Sequence, residues 1–221
     1  MLNATEIITL DNVILGQYER YTDDESIDNK DSNTPTFAVI CLYINTPRWA
    51  GVPFILKAGK AMNEHKTEMR VQFKDIPASE YLFDTKCARN ELVMKMRPSD
   101  AIYMKTNVKR PGYHTVPVQS ELEVNYNQRY SEENNPDAYS RLILDVLRGR
   151  QGTFVRDDEL RRSWEIFTPI LHKIEGENIR PIIYQRGSRG PKEADDFIAR
   201  KTDFEFHAEY SHMYHHGKAS L

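Results

Sequence analysis

The chain has 221 residues, of which 39% are hydrophobic and 29% are charged, and its formal net charge at pH 7 is −3. This composition excludes collagen-like and wholly disordered proteins, and the slight negative charge is not that of a protein that coats nucleic acid. A membrane-spanning helix and a secretory signal are also not expected, because no apolar run approaches the roughly 18 residues that a span needs and the N-terminus has no basic region followed by an apolar one.

The front half of the chain is predicted to form β-strands. Residues 37–44 are apolar throughout and too few for a typical helix, so we expect a strand that is covered on both faces. Five further strands are predicted at residues 54–57, 68–74, 92–97, 101–105 and 122–126. Because short links without helices join them, the strands are expected to form an antiparallel sheet.

Alternation along these strands predicts a face that carries cations. Successive side chains of a strand point to opposite sides, which places Arg70, Lys95, Arg97 and Lys105 on the side away from the apolar residues. Two interpretations are open here. The face is either a basic patch that binds an anion, or a solvated surface whose cations are balanced by counter-charges.

The back half changes to helical periodicity. Asn135, Pro136 and Asp137 predict a helix start with Asn at the cap, followed by an apolar stripe over 139–147 and an end at Gly149. A second helix is expected from about residue 157, kinked by Pro169, and a third begins after Pro191. The apolar face predicted for the second helix consists of Leu160, Trp164, Phe167, Leu171 and Ile174. The fold class is therefore α+β, with a large, mainly antiparallel sheet and helices packed on one face.

The segment 54–66 is the strongest candidate for a binding site. It places Lys57, Lys60, His65 and Lys66 around Gly59, and a glycine beside clustered cations lets an anion approach the backbone. Residues 187–190 could bind a phosphate at the start of the third helix, although taken alone their sequence favours a plain turn.

Other residue types point to no further chemistry. Cys41 and Cys87 fit neither a disulfide framework nor a zinc ribbon, which favours a reducing, intracellular compartment. The three histidines at 212, 215 and 216 lack a carboxylate or Cys at metal-site spacing, so no metal site is expected. The residues by themselves therefore predict an anion site but no complete catalytic constellation.

Nine short segments, in order along nearly the whole chain, carry a resemblance to a known family. They are NVILGQY (12–18), TPTFA (34–38), RWAGVPF (48–54), KAGK (57–60), RNELV (89–93), PDAY (136–139), LILDV (142–146), FTP (167–169) and GSRGP (187–191). Together they resemble the C-terminal part of glucose-6-phosphate dehydrogenase. The resemblance implies that residues 1–221 form one truncated C-terminal domain for substrate binding and oligomerisation.

The resemblance also implies an activity and its location. The family transfers a hydride from glucose 6-phosphate to NADP, the entry step of the oxidative pentose phosphate pathway. Its Rossmann domain and its catalytic His, the general base, would lie N-terminal to residue 1, so no catalytic residue is assigned here and the chain alone is expected to be inactive. A cytoplasmic homodimer or homotetramer, joined through the sheet and without nucleic-acid or membrane partners, is expected.

Three positions match the family's substrate contacts. Lys60 matches the lysine that reaches the sugar phosphate, and His65 falls where many relatives have Arg. Arg97 falls where some relatives have Gln, and its longer cation could compensate for His65.

Some family members also bind a second, structural NADP. Positions that match this site are Lys57, Lys66, Arg70, Lys95, Tyr103, Lys105 and Arg189. His212 falls at the usual Trp position and Phe206 at a usual Tyr, and the smaller stacking surface predicts weaker binding. The alternative to an enzyme is a non-catalytic anion-binding or interaction module derived from this domain, and the coding sequence upstream of Met1 would distinguish the two.

Overall fold

The computed structural model describes residues 1–133 and 136–204. Its strands are β1 (Val13–Tyr18), β2 (Phe37–Tyr43), β3 (Pro53–Gly59), β4 (Thr67–Gln72), β5 (Glu91–Arg97), β6 (Ala101–Val108), β7 (Val118–Asn125) and β8 (Ile182–Tyr184). Its helices are α1 (Ser79–Phe83), α2 (Tyr126–Arg129), α3 (Ala138–Leu147), α4 (Asp157–Gly176) and α5 (Lys192–Lys201). All six predicted strands are present, and the α+β class is confirmed.

The strands form two four-stranded sheets, in the orders β3-β2-β1-β8 and β4-β5-β6-β7. All pairings are antiparallel except that of β1 with β8. The mainly antiparallel arrangement is as predicted, but a single large sheet was expected. The chain leaves the first sheet after Gly59, because Ala61 takes a φ of 50° and Met62 bridges to Ser188 before β4 begins.

The first sheet is buried on both faces, as the apolar pattern of β2 predicts. On one face Phe37, Val39 and Cys41 pack against α5, and on the other Ile40 and Leu42 pack against α4. The expectation of helices on one face is therefore corrected for this sheet. The physical reason is that both faces of β2 are apolar, and each needs its own cover.

The second sheet confirms the predicted alternation. Met69, Met94, Ile102 and Val124 align across the four strands on one side. We call this side the apolar sheet face, and its exposed members include Met69, Val71, Ile102, Met104, Leu122 and Val124. The opposite side, the polar sheet face, carries Glu68, Arg70, Gln72, Glu91, Val93, Lys95, Tyr103, Lys105, Glu121 and Glu123. Arg97, which was predicted on this side, is not among them, because it pairs with Thr67 beyond a register shift that interrupts the alternation.

The start of α3 differs from the prediction. The cap is Asp137, whose carboxylate accepts a hydrogen bond of 3.0 Å from the Ser140 N–H, and the helix begins at Ala138. Asn135, the predicted cap, lies outside the described residues, and the prediction of Pro136 as the first helical residue was wrong. Asp137 has an extended backbone and a short acceptor side chain, which are the properties that a cap requires. Gly149, with a φ of 67°, follows the helix where its end was predicted.

The buried stripe of α4 also differs from the prediction. Ile166, Ile170 and Ile174 are buried at a spacing of four residues, whereas Trp164 is 58% exposed, with Leu160 and Leu171 also exposed. Helix α4 carries two apolar stripes, and the isoleucine stripe is the one that contacts the first sheet. The apolar residues of α3 are exposed too, with Tyr139 and Leu147 each at 79%. The helix α4 continues through Pro169.

No helix among the described residues has the length and apolar character needed to cross a membrane.

We expect Gly190→Ala to lower the free energy of unfolding by about 2–4 kcal/mol. Gly190 has a φ of 102°, and a methyl group there would overlap the ring of Phe37. Urea denaturation of the chain measures the change. Gly152→Ala is the matched control, because its added methyl would meet open space, and a shift within about 0.5 kcal/mol is expected. Equal effects of the two substitutions would contradict the packing argument.

Candidate functional site

Hydrogen bonds at both the N–H and the carbonyl hold the backbone of Lys60. It lies directly after β3, its N–H donates to the Thr36 carbonyl at 2.9 Å, and its own carbonyl accepts from the Tyr184 hydroxyl at 2.7 Å. The residue is exposed to solvent. Two tertiary hydrogen bonds therefore fix where the Lys60 side chain starts and leave its ammonium group facing water.

The turn at 187–190 supports the connection that follows Lys60. The Gly187 N–H donates to the Ala61 carbonyl at 2.8 Å, and the Asn63 N–H donates to the Ser188 carbonyl at 2.9 Å. Gly187 has a φ of 79°, which a glycine adopts without strain. These two backbone hydrogen bonds therefore fix the position of the segment 60–66, which joins the two sheets.

His65 and Arg97 lie close to each other in the strand pairing. Thr67, the first residue of β4, pairs with Arg97, and His65 precedes Thr67 by two positions. Both residues are exposed. Within residues 1–133 and 136–204, none of Lys60, His65 and Arg97 forms an ion pair.

The polar sheet face contains a network of mutually paired charges. Arg70 donates to Glu91 at 2.8 Å and to Glu68 at 2.9 Å, and Lys66 lies 3.5 Å from Glu68. Lys105 lies 4.0 Å from Glu91, and each of these two residues is only 3% exposed. For this part of the face, the predicted pairing of cations with counter-charges is confirmed, but the paired groups are partly or fully buried rather than solvated.

Burial and neighbouring charges both shift the pKa values of groups in this network. Burial opposes ionisation of Glu68, but Arg70 and Lys66 outweigh it and hold the pKa of Glu68 below its usual value. Burial lowers the pKa of Lys105, an effect that Arg70 reinforces. Burial also raises the pKa of Tyr103 to about 12. The network is therefore an ionised carboxylate–cation cluster around a neutral phenol.

A second pair of cations lies beside α5. Lys57 Nζ is 3.8 Å and Arg189 Nη2 is 3.6 Å from the same oxygen of Asp195. The ammonium of Lys57 also lies over the Phe37 ring, 5.6 Å from its centre. Burial lowers the pKa of Lys57, and although Asp195 opposes the shift, the charges of Arg189 and Lys66 add to it. One carboxylate thus faces two cations at longer than ideal distances.

The positions matched to a structural NADP therefore divide into two groups. Lys57 and Arg189 meet at Asp195, whereas the cations Lys66, Arg70 and Lys105, with Tyr103, meet around Glu68 and Glu91. Lys95 lies on the same face, aligned with Glu68 and Ala101 in the neighbouring strands. The predicted positions Phe206 and His212 lie outside the described residues.

Several residues that define the site were missed in the sequence. The alternation that places Lys95 on the polar sheet face also places Glu91 there, and Asp195 lies in the first turn of α5, so both could have been found. No local signal indicates Thr36 and Tyr184, because they reach Lys60 only through the folded first sheet.

Comparison with known proteins identifies relatives over most of the chain. Residues 1–208 match the family model of the glucose-6-phosphate dehydrogenase C-terminal domain. The chain is 52% identical over 200 residues to "Glucose-6-phosphate 1-dehydrogenase 6, cytoplasmic" of Arabidopsis thaliana, covering 90% of this chain and 38% of the relative. It is 47% identical over 232 residues to glucose-6-phosphate 1-dehydrogenase of Drosophila melanogaster, covering 100% of this chain and 43% of the relative.

Solved structures give the same result. A glucose-6-phosphate dehydrogenase in complex with its substrate glucose-6-phosphate superposes with a TM-score of 0.84 at 40% identity, over 93% of this chain and 43% of that one. The enzyme from Mycobacterium avium, at 23% identity and a TM-score of 0.78 over 95% of this chain and 43% of that one, shares the fold. The chain thus spans about two fifths of the length of the relatives it matches.

We expect Arg70→Met to destabilise the fold by about 3 kcal/mol, because it leaves the Glu91 carboxylate without its closest cation. Glu91 is buried at 3% exposure and would keep only Gln72 at 3.0 Å and Lys105 at 4.0 Å as the partners described above. Urea denaturation measures the loss. Arg97→Met removes an exposed arginine from the strand that carries Glu91 and should change stability by less than about 0.5 kcal/mol. A similar loss in both variants would contradict a specific role for the Arg70 network.

Proposed function

The chain belongs to the glucose-6-phosphate dehydrogenase family, as the match of residues 1–208 to its C-terminal domain establishes, and from this we propose that it supplies substrate binding and subunit contacts to an NADP-dependent glucose-6-phosphate dehydrogenase. The complete enzyme would oxidise glucose 6-phosphate to 6-phosphogluconolactone, the first oxidative step of the pentose phosphate pathway. This chain would act as a single domain of it.

The proposal rests on the surroundings of Lys60. Its backbone is held at both its N–H and its carbonyl, while its side chain is exposed and forms no ion pair with the described residues. An ammonium group in this state can bind a phosphate without first breaking an internal pair. The relative solved with glucose 6-phosphate, at 40% identity, makes the sugar phosphate the natural occupant.

Arg97 and His65 would complete the substrate site. An imidazole is a weaker partner for a phosphate than a guanidinium, which offers several N–H donors in a planar fork. The guanidinium of Arg97 is permanently charged, and its position opposite Thr67 puts it beside the segment that carries His65. We therefore assign the second substrate cation to Arg97.

The chemical step would be shared with polypeptide outside this chain. Oxidation requires a base that takes the hydroxyl proton and a nicotinamide that takes the hydride. We assign both to a dinucleotide-binding domain in the rest of the enzyme, since the relatives are more than twice as long as this chain. The part played here is to hold and orient the phosphorylated sugar.

The polar sheet face and the Lys57–Arg189 pair are the proposed site of a structural NADP. Lys57 and Arg189 lie 3.8 Å and 3.6 Å from the same Asp195 oxygen, and two neighbouring cations are the residue types that bind a phosphate group. Lys66, Arg70, Lys95, Tyr103 and Lys105 would extend the site across the second sheet. The residue types fit the anionic part of a dinucleotide, and when bound NADP would join the sheet to α5.

The apolar sheet face is the proposed subunit interface. Leu122 is 68%, Met69 56% and Val124 51% exposed on this face. Contiguous apolar side chains on a sheet mark a surface that another protein covers, and a second copy of the enzyme is the occupant that we propose. The cytoplasm is the proposed location, in line with the plant relatives named as cytoplasmic.

In the complete enzyme, we expect Lys60→Ala to raise the KM for glucose 6-phosphate roughly 10- to 100-fold, because a charged hydrogen bond to the phosphate is lost. Arg97→Ala should raise it several-fold, and both variants should leave the KM for NADP within about twofold. Steady-state kinetics with each substrate varied in turn measures these constants. Lys30→Ala, in the exposed loop before β2, serves as the control.

An unchanged KM in the Lys60 variant would refute its assignment as the phosphate contact. If the complete protein that carries this chain oxidises no glucose 6-phosphate, a non-catalytic anion-binding module becomes the better description. A Lys30 variant with the same kinetic defect as Lys60 would show that loss of any lysine in this domain has the same effect.

Leu122→Lys in the complete enzyme is expected to shift the oligomer towards monomer, because the new ammonium would be buried without a partner at the interface. Light scattering coupled to gel filtration measures the mass. Gln151→Lys adds the same charge at an exposed position before α4 and should leave the mass unchanged. An unaltered oligomer in the Leu122 variant would exclude the apolar sheet face as the interface.

A further inference from the structure

Glu68 lies at the centre of the cations to which an anion would bind. Its Oε1 atom is 2.9 Å from Nη2 of Arg70 and 3.5 Å from Nζ of Lys66. The same Lys66 ammonium is 3.0 Å from Glu64. The carboxylate of Glu68 thus occupies, from within the chain, the space between two cations that a phosphate oxygen would take.

The two carboxylates bound to Arg70 are held very differently. Glu91 is on β5, inside the sheet, and its side chain is 5% exposed with a further hydrogen bond of 3.0 Å from Gln72. Glu68 is on the edge strand β4, beside an irregularity in the pairing between Thr67 and Glu68, and its side chain is 18% exposed. Glu91 is therefore the fixed counter-ion, and Glu68 is the one that solvent reaches.

An incoming phosphate would meet this carboxylate directly. If Glu68 stays in place, two negative groups share the same cations at close range, which is unfavourable in a partly buried site. If Glu68 swings out towards solvent, its bonds to Arg70 and Lys66 are lost before those to the phosphate form. In both cases the negative charge of Glu68 reduces the affinity of the polar sheet face for anions.

We propose that Glu68 is a built-in competitor for the anion that binds at the polar sheet face, and that it must be displaced from Lys66 and Arg70 before a phosphate group binds there. Glu68 thereby sets the affinity of the site and keeps its cations paired when the site is empty. The inference rests on the proposed function only in taking a phosphorylated dinucleotide as the ligand.

The test compares two substitutions that each remove one negative charge beside Lys66. Glu68→Gln keeps the shape of the side chain and an oxygen for Arg70, and should lower the Kd of the 221-residue chain for NADP and for inorganic pyrophosphate roughly tenfold. Glu64→Gln removes an acid that is 55% exposed and bonded to Lys66 rather than to Arg70. It should change either Kd less than about twofold. Isothermal titration calorimetry at low ionic strength measures both.

A second variant keeps the proposal testable if Glu68→Gln does not fold. Glu68→Asp keeps the charge but is too short to hold both cations, so it should tighten binding by a smaller factor. Circular dichroism and thermal melting establish that each variant is folded. Pyrophosphate separates an effect on phosphate binding from an effect on the rest of the nucleotide, because it carries the phosphates alone.

The outcomes distinguish this inference from the proposed function. The inference is supported if NADP and pyrophosphate bind more tightly to the Glu68 variants but not to the Glu64 variant. It is also supported if binding is detectable only in the Glu68 variants. Binding by the original chain that Glu68→Gln leaves unchanged or weakens overturns the role of Glu68 and retains the site. Absence of binding in every folded variant overturns both this inference and the structural NADP site. Neither result alters the KM test of Lys60, which concerns the substrate.

Discussion

The burial of Phe37 is the constraint on which the candidate site depends. Its ring is 2% exposed, and Gly59 and Gly190 approach it so closely that neither position has room for a side chain. This contact locates the end of β3 and the turn before α5 relative to each other. Thr36, the neighbour of Phe37, accepts the N–H of Lys60. A hydrophobic contact in the core therefore decides the backbone position of Lys60, the lysine that we propose as the phosphate contact.

The cations near this core fall into two physical states. Arg70 and Lys105 on the polar sheet face are paired with the carboxylates of Glu68 and Glu91, and the pairing is partly or fully shielded from water. Those at Lys60 and Arg97 have no such partner among the described residues and are exposed. An anion that binds the second group would therefore break no internal ion pair, whereas a ligand of the first group would compete with carboxylates. The same residue types thus support two different binding behaviours.

The chain also presents apolar surfaces that its described elements leave uncovered. They are the apolar sheet face, the outer stripe of α4 with Trp164, and most of the apolar side of α3. Exposed surfaces of this kind are usually contact sites. Their presence agrees with the proposal that this domain works together with further polypeptide and a second copy, since its relatives are more than twice as long.

Local periodicity in the sequence determined much of the fold. It identified the strands, their polar and apolar sides and α5, because alternation and helical spacing are properties of a few adjacent residues. Only the tertiary structure decided which of the two stripes of α4 is buried, since both have helical spacing and the choice depends on the sheet that α4 meets. The register between β4 and β5 decided that Arg70 is paired with Glu91, and Tyr184, which is 124 positions away, fixed Lys60. Contacts between distant segments leave no pattern in either segment. For that reason the sequence could name the cations of the site but not which residue each of them contacts.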